Sequence, residues 1–415
     1  MAPRYTPSIR GRLPWLALLL EITFIIIFLF LISFEPTKSN GNIIKIYPAL
    51  QDVNVMVFLG FGFLLAFLRR FGFSAVGFSL LVAALGTQWA IIMDGVFFHC
   101  KEGRMTVSIH SLLTGAMSAV PALISAGAVL GKINPAQLLW MTLIEVTLFT
   151  VNRWIISDLL MIERHVSLMF APVFGAYFGL AVAWLLYHPL LDKEMEKEES
   201  QPASDLFSML GALFLWMFWP TFNSVLVPGA SEKRNAVYNT YYAIAVSALA
   251  AFSFSVCTST RGKLKMMHTH SAVLAGGVAI GFSAYMIYSA WIAMTIGFLA
   301  GMISTLGFKY IQASLNSVIQ IHDTSGVHAT FGLPGLLGGV AYVLLILTAD
   351  WNNLTRLGYQ ALVGVGCLSL TLLMSFGGGL ITGLLLTCKL WKAPQQWNYF
   401  DDRAYWEFPH FASHL

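Results

Sequence analysis

The sequence predicts an all-α membrane protein with about twelve transmembrane helices, and three observations carry the prediction. Hydrophobic residues fill 57% of the 415 positions and charged residues only 11%. Soluble domains carry about 25% charge, so this chain has too little to cover a water-facing surface. Second, the apolar residues fall in runs of roughly 20, the length that crosses a bilayer core. Third, Lys and Arg are shared unequally between the two sides that those runs define, 15 against 9, the asymmetry expected of a chain whose basic loops stay in the cytoplasm.

The first run, 13–34, follows Arg4, Arg10 and Arg12. It is longer than the core of a cleaved signal and has no small-residue cleavage site, so it reads as a retained first span. Further runs lie at 52–68, 74–98, 108–130, 135–156, 167–187, 205–227, 236–257, 268–286, 288–308, 327–348 and 358–388. The run at 52–68 is short, and little but Ser289 separates the ninth from the tenth. Twelve crossings put both termini on one side, and the basic excess makes that side cytoplasmic. The acidic tract Asp192–Glu199 then falls in a cytoplasmic loop and reads as a solvated linker between two halves.

The chain divides as one polytopic membrane domain. A cytoplasmic N-terminus (1–12) and an extra first span (13–34) precede a first repeat (52–187), a linker (188–204), a second repeat (205–348), a last span (358–388) and a cytoplasmic tail (389–415). The two repeats have five spans each, and an odd number per repeat forces opposite orientations, the inverted plan of many transporters. From Pro172 and from His328, small residues recur at the same offsets: Ala176 and Gly332, then Gly179 and Gly335. Such stripes let helix backbones approach closely in lipid, so the sixth and eleventh spans are expected to meet.

Ionisable groups inside spans are costly and mark function or internal pairing. Glu21 and Asp94 read as interfacial or capping carboxylates. Glu145, mid-span, is expected to face inward against a hydroxyl or amide. His328 is the sharpest candidate: it follows the polar break His322-Asp323-Thr324-Ser325-Gly326, which can cap a helix, and a neutral imidazole there can exchange hydrogen bonds with a small solute. His268 and His270 read as interfacial, and the cluster Trp216–Asn223 as an aromatic belt or a pore wall.

Function classes narrow by elimination. There is no basic stripe with interleaved aromatics for nucleic acid, no phosphate loop, no GxSxG and no His/Cys cluster at zinc spacing. The sequence therefore points to no enzyme, cofactor or metal. Cys100, Cys257, Cys367 and Cys388 form no CxxC pair and read as free thiols. Cys257 and Cys388 lie near the cytoplasmic face, and the residues leave open whether either is acylated. Asn353-Leu-Thr355 is an outside glycosylation sequon close to the bilayer.

Five segments in order resemble the Rh (Rhesus) family of the ammonium transporter superfamily: Ser125–Lys132 (SAGAVLGK), Phe174–Ala183 (FGAYFGLAVA), Gly211–Pro220 (GALFLWMFWP), Ser271–Val278 (SAVLAGGV) and Tyr399–Asp402 (YFDD). The resemblance covers nearly the whole chain and is closest to the blood-group (D/CE-type) branch of red cells. It implies an ammonium-transporter-like fold with an inverted five-plus-five repeat, plasma-membrane localisation, a homo- or hetero-trimer, and an erythrocyte complex with the Rh-associated glycoprotein and the ankyrin-linked skeleton. It also implies a narrow pore in each protomer, with two stacked phenylalanines at the outer gate, two histidines along the channel and an acidic residue eight positions before the first histidine.

Carried onto this chain, that pattern is damaged. The outer phenylalanine position is Met117, the inner one is retained as Phe222, the first histidine position is Pro172, the second histidine is retained as His328, and the acidic position is Arg164, beside Glu163. Proline offers no side-chain donor or acceptor, methionine lacks the aromatic face that attracts ammonium, and an inward arginine opposes a cation. Two functions follow as expectations. One is a structural subunit whose own pore is silent or weak; the alternative is an active channel for ammonia, ammonium or another neutral gas.

Overall fold

A computed structural model describes residues 7–34, 40–98, 104–189, 195–348, 354–394 and 398–408. Cys100 and Asn353 lie outside the described residues. Among the described residues, eleven helices are long and apolar enough to cross a membrane. They are span 1 (Ser8–Leu31), span 2 (Ile46–Leu64), span 3 (Gly72–Phe98), span 4 (Ile109–Ala128), span 5 (Pro135–Leu159), span 6 (Arg164–Leu185), span 7 (Pro202–Ser224), span 8 (Ala230–Cys257), span 10 (Ala290–Ile319), span 11 (His328–Thr348) and span 12 (Leu357–Leu386). The expected ninth crossing is present in broken form, as short helices Met266–Ala272 and Ala275–Ile280.

Local sequence explains where these helices start and bend. Before span 5 the Asn134 side chain accepts from the Gln137 N–H at 2.9 Å while the Gln137 side chain accepts from the Asn134 N–H at 3.0 Å. That reciprocal cap, with Pro135 in the first turn, satisfies donors the helix cannot pair internally. Span 4 is interrupted at Ala119, between helices Ile109–Ser118 and Val120–Ala128. Pro121 accounts for it, because proline has no N–H to give and its ring crowds the carbonyl four residues back, that of Met117. At the break in span 9 the Ser247 hydroxyl donates to the Ala272 carbonyl and accepts from the Gly276 N–H, both at 3.0 Å. A side chain of span 8 thus repairs backbone groups that lipid could not.

The small-residue stripes of spans 6 and 11 meet as expected. A Cβ added at Gly335 would lie 2.5 Å from Val173 Cγ2, and one at Gly332 would lie 3.5 Å from Ala176 Cβ. Span 1 packs one face on the bundle, where Phe24 stacks on Trp89 with ring centroids 5.7 Å apart. Its other faces, including Leu18, Ile22, Ile25 and Leu29, stay exposed and suit lipid. Outside the helices, Ile32–Phe34 pairs in parallel with Met105–Val107, a short strand pair that the hydropathy pattern does not foretell.

Three sequence readings change. The charge count assigns Arg153 to the outside although the run 135–156 includes it; it lies within span 5 and is buried. Asp94, read as a loop cap, is buried and pairs its carboxylate with Arg153 at 2.8 Å. His268 and His270 are buried within span 9 rather than interfacial. In each case a neighbouring element covers a polar group that a one-dimensional hydropathy profile assigns to the membrane boundary.

Candidate pore and its two mouths

The pore candidates come from four spans. Met117 is fully buried just before the break in span 4. Phe222 is buried near the end of span 7, its ring centroid 5.9 Å from that of Trp219. Pro172 sits in the first turn of Ala171–Leu185, after a turn at Phe170 that divides span 6. A missing N–H costs nothing there, so the fold accommodates the proline without strain but gains no polar atom from it.

His328 opens span 11. Asp323 caps this helix: its two carboxylate oxygens accept from the Val327 and His328 N–H groups, each at 3.0 Å. The half-buried imidazole meets the Tyr177 ring edge-on, with centroids 5.7 Å apart at 78°. Its Nδ1 has no hydrogen-bond partner among the described residues. Between spans 2, 4, 9 and 11 lies a cavity of about 10 Å³ lined by residues including Leu123, Ile124, His270, Ser325 and Phe331, room for about one water.

The outer mouth is wider. A cavity of about 380 Å³ is lined by residues including Asp94, Thr114, Arg153, Glu163, Arg164 and Leu226. Thr114 is one helical turn from Met117, so the cavity ends about one turn short of that gate position. The Arg153 guanidinium donates to Asp94 at 2.8 Å and to Ser118 at 2.7 Å. Its central carbon is 5.3 Å from the Phe98 ring centroid and that of Arg164 is 5.2 Å from the same ring, both within cation–π range. Arg164 stays exposed, with its nearest carboxylate, Asp158, at 3.9 Å. Beside it, burial first and the Glu232 carboxylate second raise the Glu163 carboxyl above its usual range, and Glu163 Oε2 lies 3.2 Å from His165 Nδ1.

The opposite mouth is packed. Lys132 is buried and donates to the carbonyls of Ala128 at 2.7 Å and His322 at 2.5 Å, with its Nζ 3.3 Å from His322 Nδ1. His322 Nε2 is 3.0 Å from Glu198 Oε1 on the segment before span 7. Burial lowers the Lys132 ammonium to about 8, against the raising influence of the Glu198 and Asp323 charges. Phe400 closes the floor from the tail: its N–H donates to the Gly131 carbonyl at 3.2 Å, and its ring occupies the space a side chain at Gly131 would need. Gly131 also holds φ at +78°, a left-handed conformation that glycine adopts without strain.

The structure thus gathers Met117, Pro172, Phe222 and His328 inside the bundle and puts Arg164 at the outer mouth. Glu145 faces inward and accepts from the Ser125 hydroxyl, as its mid-span position requires. Sequence reading passed over the Asp94–Arg153 pair and the Lys132–His322–Glu198 cluster. The only linear signal for the latter was a lysine ending an otherwise apolar motif, Ser125–Lys132.

A bundle of crossing helices with a broken ninth span, and buried polar groups at both of its ends, has the architecture of a membrane transport fold. The chain belongs to the Ammonium Transporter Family, whose family model matches residues 15–408. Within that family it is an Rh protein. It is 44% identical over 414 residues to the human (Homo sapiens) blood group Rh(CE) polypeptide and, to the same degree, to an RH-like protein of Macaca mulatta, each comparison covering 99% of both chains. Among solved structures it resembles Nitrosomonas europaea Rh50 at 30% identity with a TM-score of 0.76, covering 89% of this chain and 94% of that one; that structure is described with the mechanism of conduction by the Rhesus family of channels. A sensor Amt protein at 18% identity and a TM-score of 0.70, covering 86% of this chain and 95% of that one, shares the fold. The family is one of transporters rather than enzymes, and the chain is a multi-pass membrane protein.

Proposed function

We propose that this Rh protein is a subunit of a trimeric plasma-membrane complex whose own pore conducts ammonia weakly or not at all. Its partners in this reading are further copies of itself or the Rh-associated glycoprotein, with attachment to the ankyrin-linked skeleton. Both termini lie in the cytoplasm in this reading, on the excess of Lys and Arg assigned to that side from the sequence, 15 against 9. The halves 52–187 and 205–348 form the inverted repeat, with spans 6 and 11 crossing between them.

The observation that carries the reading is the broken polar line at His328. The family's paired imidazoles would hand a solute from one ring nitrogen to the next. Here span 6 supplies Pro172, and His328 Nδ1 is left without a hydrogen-bond partner among the described residues. A solute N–H or lone pair stranded at that level costs about 1–3 kcal/mol. Upstream, Met117 replaces an aromatic gate face and Arg164 adds a cation to the mouth.

Phe222 and His328 favour a second reading, an active channel for ammonia, ammonium or another neutral gas. Stopped-flow methylammonia uptake into proteoliposomes holding this protein alone separates the two. The silent-subunit reading expects the rate of empty vesicles; a rate at least tenfold higher, lost in His328→Ala, overturns it. In the triple variant Met117→Phe/Arg164→Asp/Pro172→His, uptake is expected to rise about tenfold, equivalent to about 1.4 kcal/mol off the barrier. An unchanged rate from an intact trimer would assign the block to another constriction.

A further inference from the structure

At the end of the bundle that carries Lys132, spans 2, 3 and 7 and the tail enclose a second groove, outside the pore. It has a volume of about 660 Å³ and joins two kinds of wall. One wall is cationic, with Arg69, Arg70 and Arg403; the other is apolar, with Phe63, Phe73 and Phe207. We propose that this groove binds one anionic phospholipid, with the headgroup phosphate on Arg69 and Arg70 and an acyl chain along Phe63 and Phe207.

The charge argument comes from how the neighbours are committed. The Arg70 side chain is exposed and has no hydrogen bond or ion pair among the described residues. With the Gln201 amide turned so that its oxygen faces Arg69, the orientation that satisfies both groups, that oxygen accepts from Arg69 Nε at 2.5 Å and from one terminal nitrogen at 3.2 Å, which fixes the guanidinium plane and leaves other N–H donors for a ligand. Two acids line the same groove, and Asp402 uses both oxygens on the Phe73 and Ser74 N–H groups, at 2.9 and 2.8 Å. Asp401 accepts from the Arg403 N–H at 3.0 Å. Two adjacent arginines with spare, oriented donors match a phosphate, whose oxygens accept in pairs.

The apolar argument comes from continuity. Phe63 and Phe207 stack with centroids 6.0 Å apart. From Phe207 an exposed ridge of span 7 continues through Leu210, Leu213 and Met217, at the three- and four-residue spacing of one helix face. A ligand with a free phosphate alone would leave this wall bare. An acyl chain covers it and runs on into the bilayer. The basic excess places this end at the cytoplasmic leaflet, which holds the anionic lipids.

Native mass spectrometry of the delipidated full-length protein, titrated with phosphatidylserine or phosphatidylcholine of matched chains, tests the assignment. Phosphatidylserine is expected to be retained at about fivefold lower concentration. Arg69→Ala/Arg70→Ala should reduce that preference below twofold, Arg69→Lys/Arg70→Lys should keep part of it, and the distant Arg10→Ala/Arg12→Ala should keep all of it. Equal retention of both lipids by the parent protein overturns the proposal. So does full competition by glycerophosphoserine, which has the headgroup without the chains and would show a phosphate site only. If the double alanine variant fails to fold, Phe207→Asp in the apolar wall serves instead and should weaken retention at least fivefold. Disulfide cross-linking between copies through Phe207→Cys, with no lipid preference, would assign the groove to a second protomer and also overturn the proposal.

Discussion

The two mouths of the candidate pore bury charge in opposite ways. At the outer mouth, Asp94 and Arg153 form a direct ion pair beside a cavity of about 380 Å³. At the inner mouth, backbone carbonyls and the His322 ring hold Lys132, and no carboxylate among the described residues lies within a hydrogen bond of it; Glu198 contacts His322 and acts on Lys132 through its charge. The difference shows which groups must stay together. An ion pair depends on each partner keeping its charge, whereas a carbonyl cage holds a cation with fixed dipoles and tolerates some change in the surrounding charges.

The largest expected effect tests the outer pair. Asp94→Asn should cost about 3–5 kcal/mol, because it leaves Arg153 charged and buried, read as lost stability of the detergent-solubilised protein against heat. Asp94→Asn/Arg153→Met should recover much of that loss. If the double variant is no better than the single, the pair is not the unit that the geometry describes.

At the inner mouth, Lys132→Met should cost about 1–3 kcal/mol by leaving the His322 carbonyl without its donor. The pH dependence is sharper. The folded ammonium loses its proton near 8 and the unfolded one near 10.5, so between those values the unfolded chain binds more protons and stability rises with pH. Below 8 both forms are protonated and this contribution is flat. Unfolding measured from pH 7 to 10.5 should show the rise in the parent and lose it in Lys132→Met; an identical rise in both would assign it elsewhere.

The smallest effect concerns Glu198. Glu198→Gln should cost under about 1 kcal/mol, because this carboxylate–imidazole contact is partly solvated, yet it should speed proteolysis between spans 6 and 7 by loosening the link to His322. Unchanged cleavage would mean that the backbone contact from the Arg69 N–H to the Glu199 carbonyl at 3.2 Å holds the segment instead.

Hydropathy and motif order by themselves determined the membrane class, the approximate number and bounds of the crossings, and the Rh resemblance. The reason is physical: a lipid-facing helix must be apolar for about 20 residues whatever it packs against, so its signal is local. Stripes such as Ala176/Gly179 and Gly332/Gly335 also reported a close helix crossing, since small size is read directly from residue type. Only the tertiary structure decided that Arg153 lies inside the bundle with Asp94, that Lys132 is caged by a carbonyl 190 positions away, and that Arg69 and Arg70 share a groove with span 7 and the tail. Partners in such clusters are chosen by the folded packing, which can join any two positions, and no period or spacing along the chain encodes which they are.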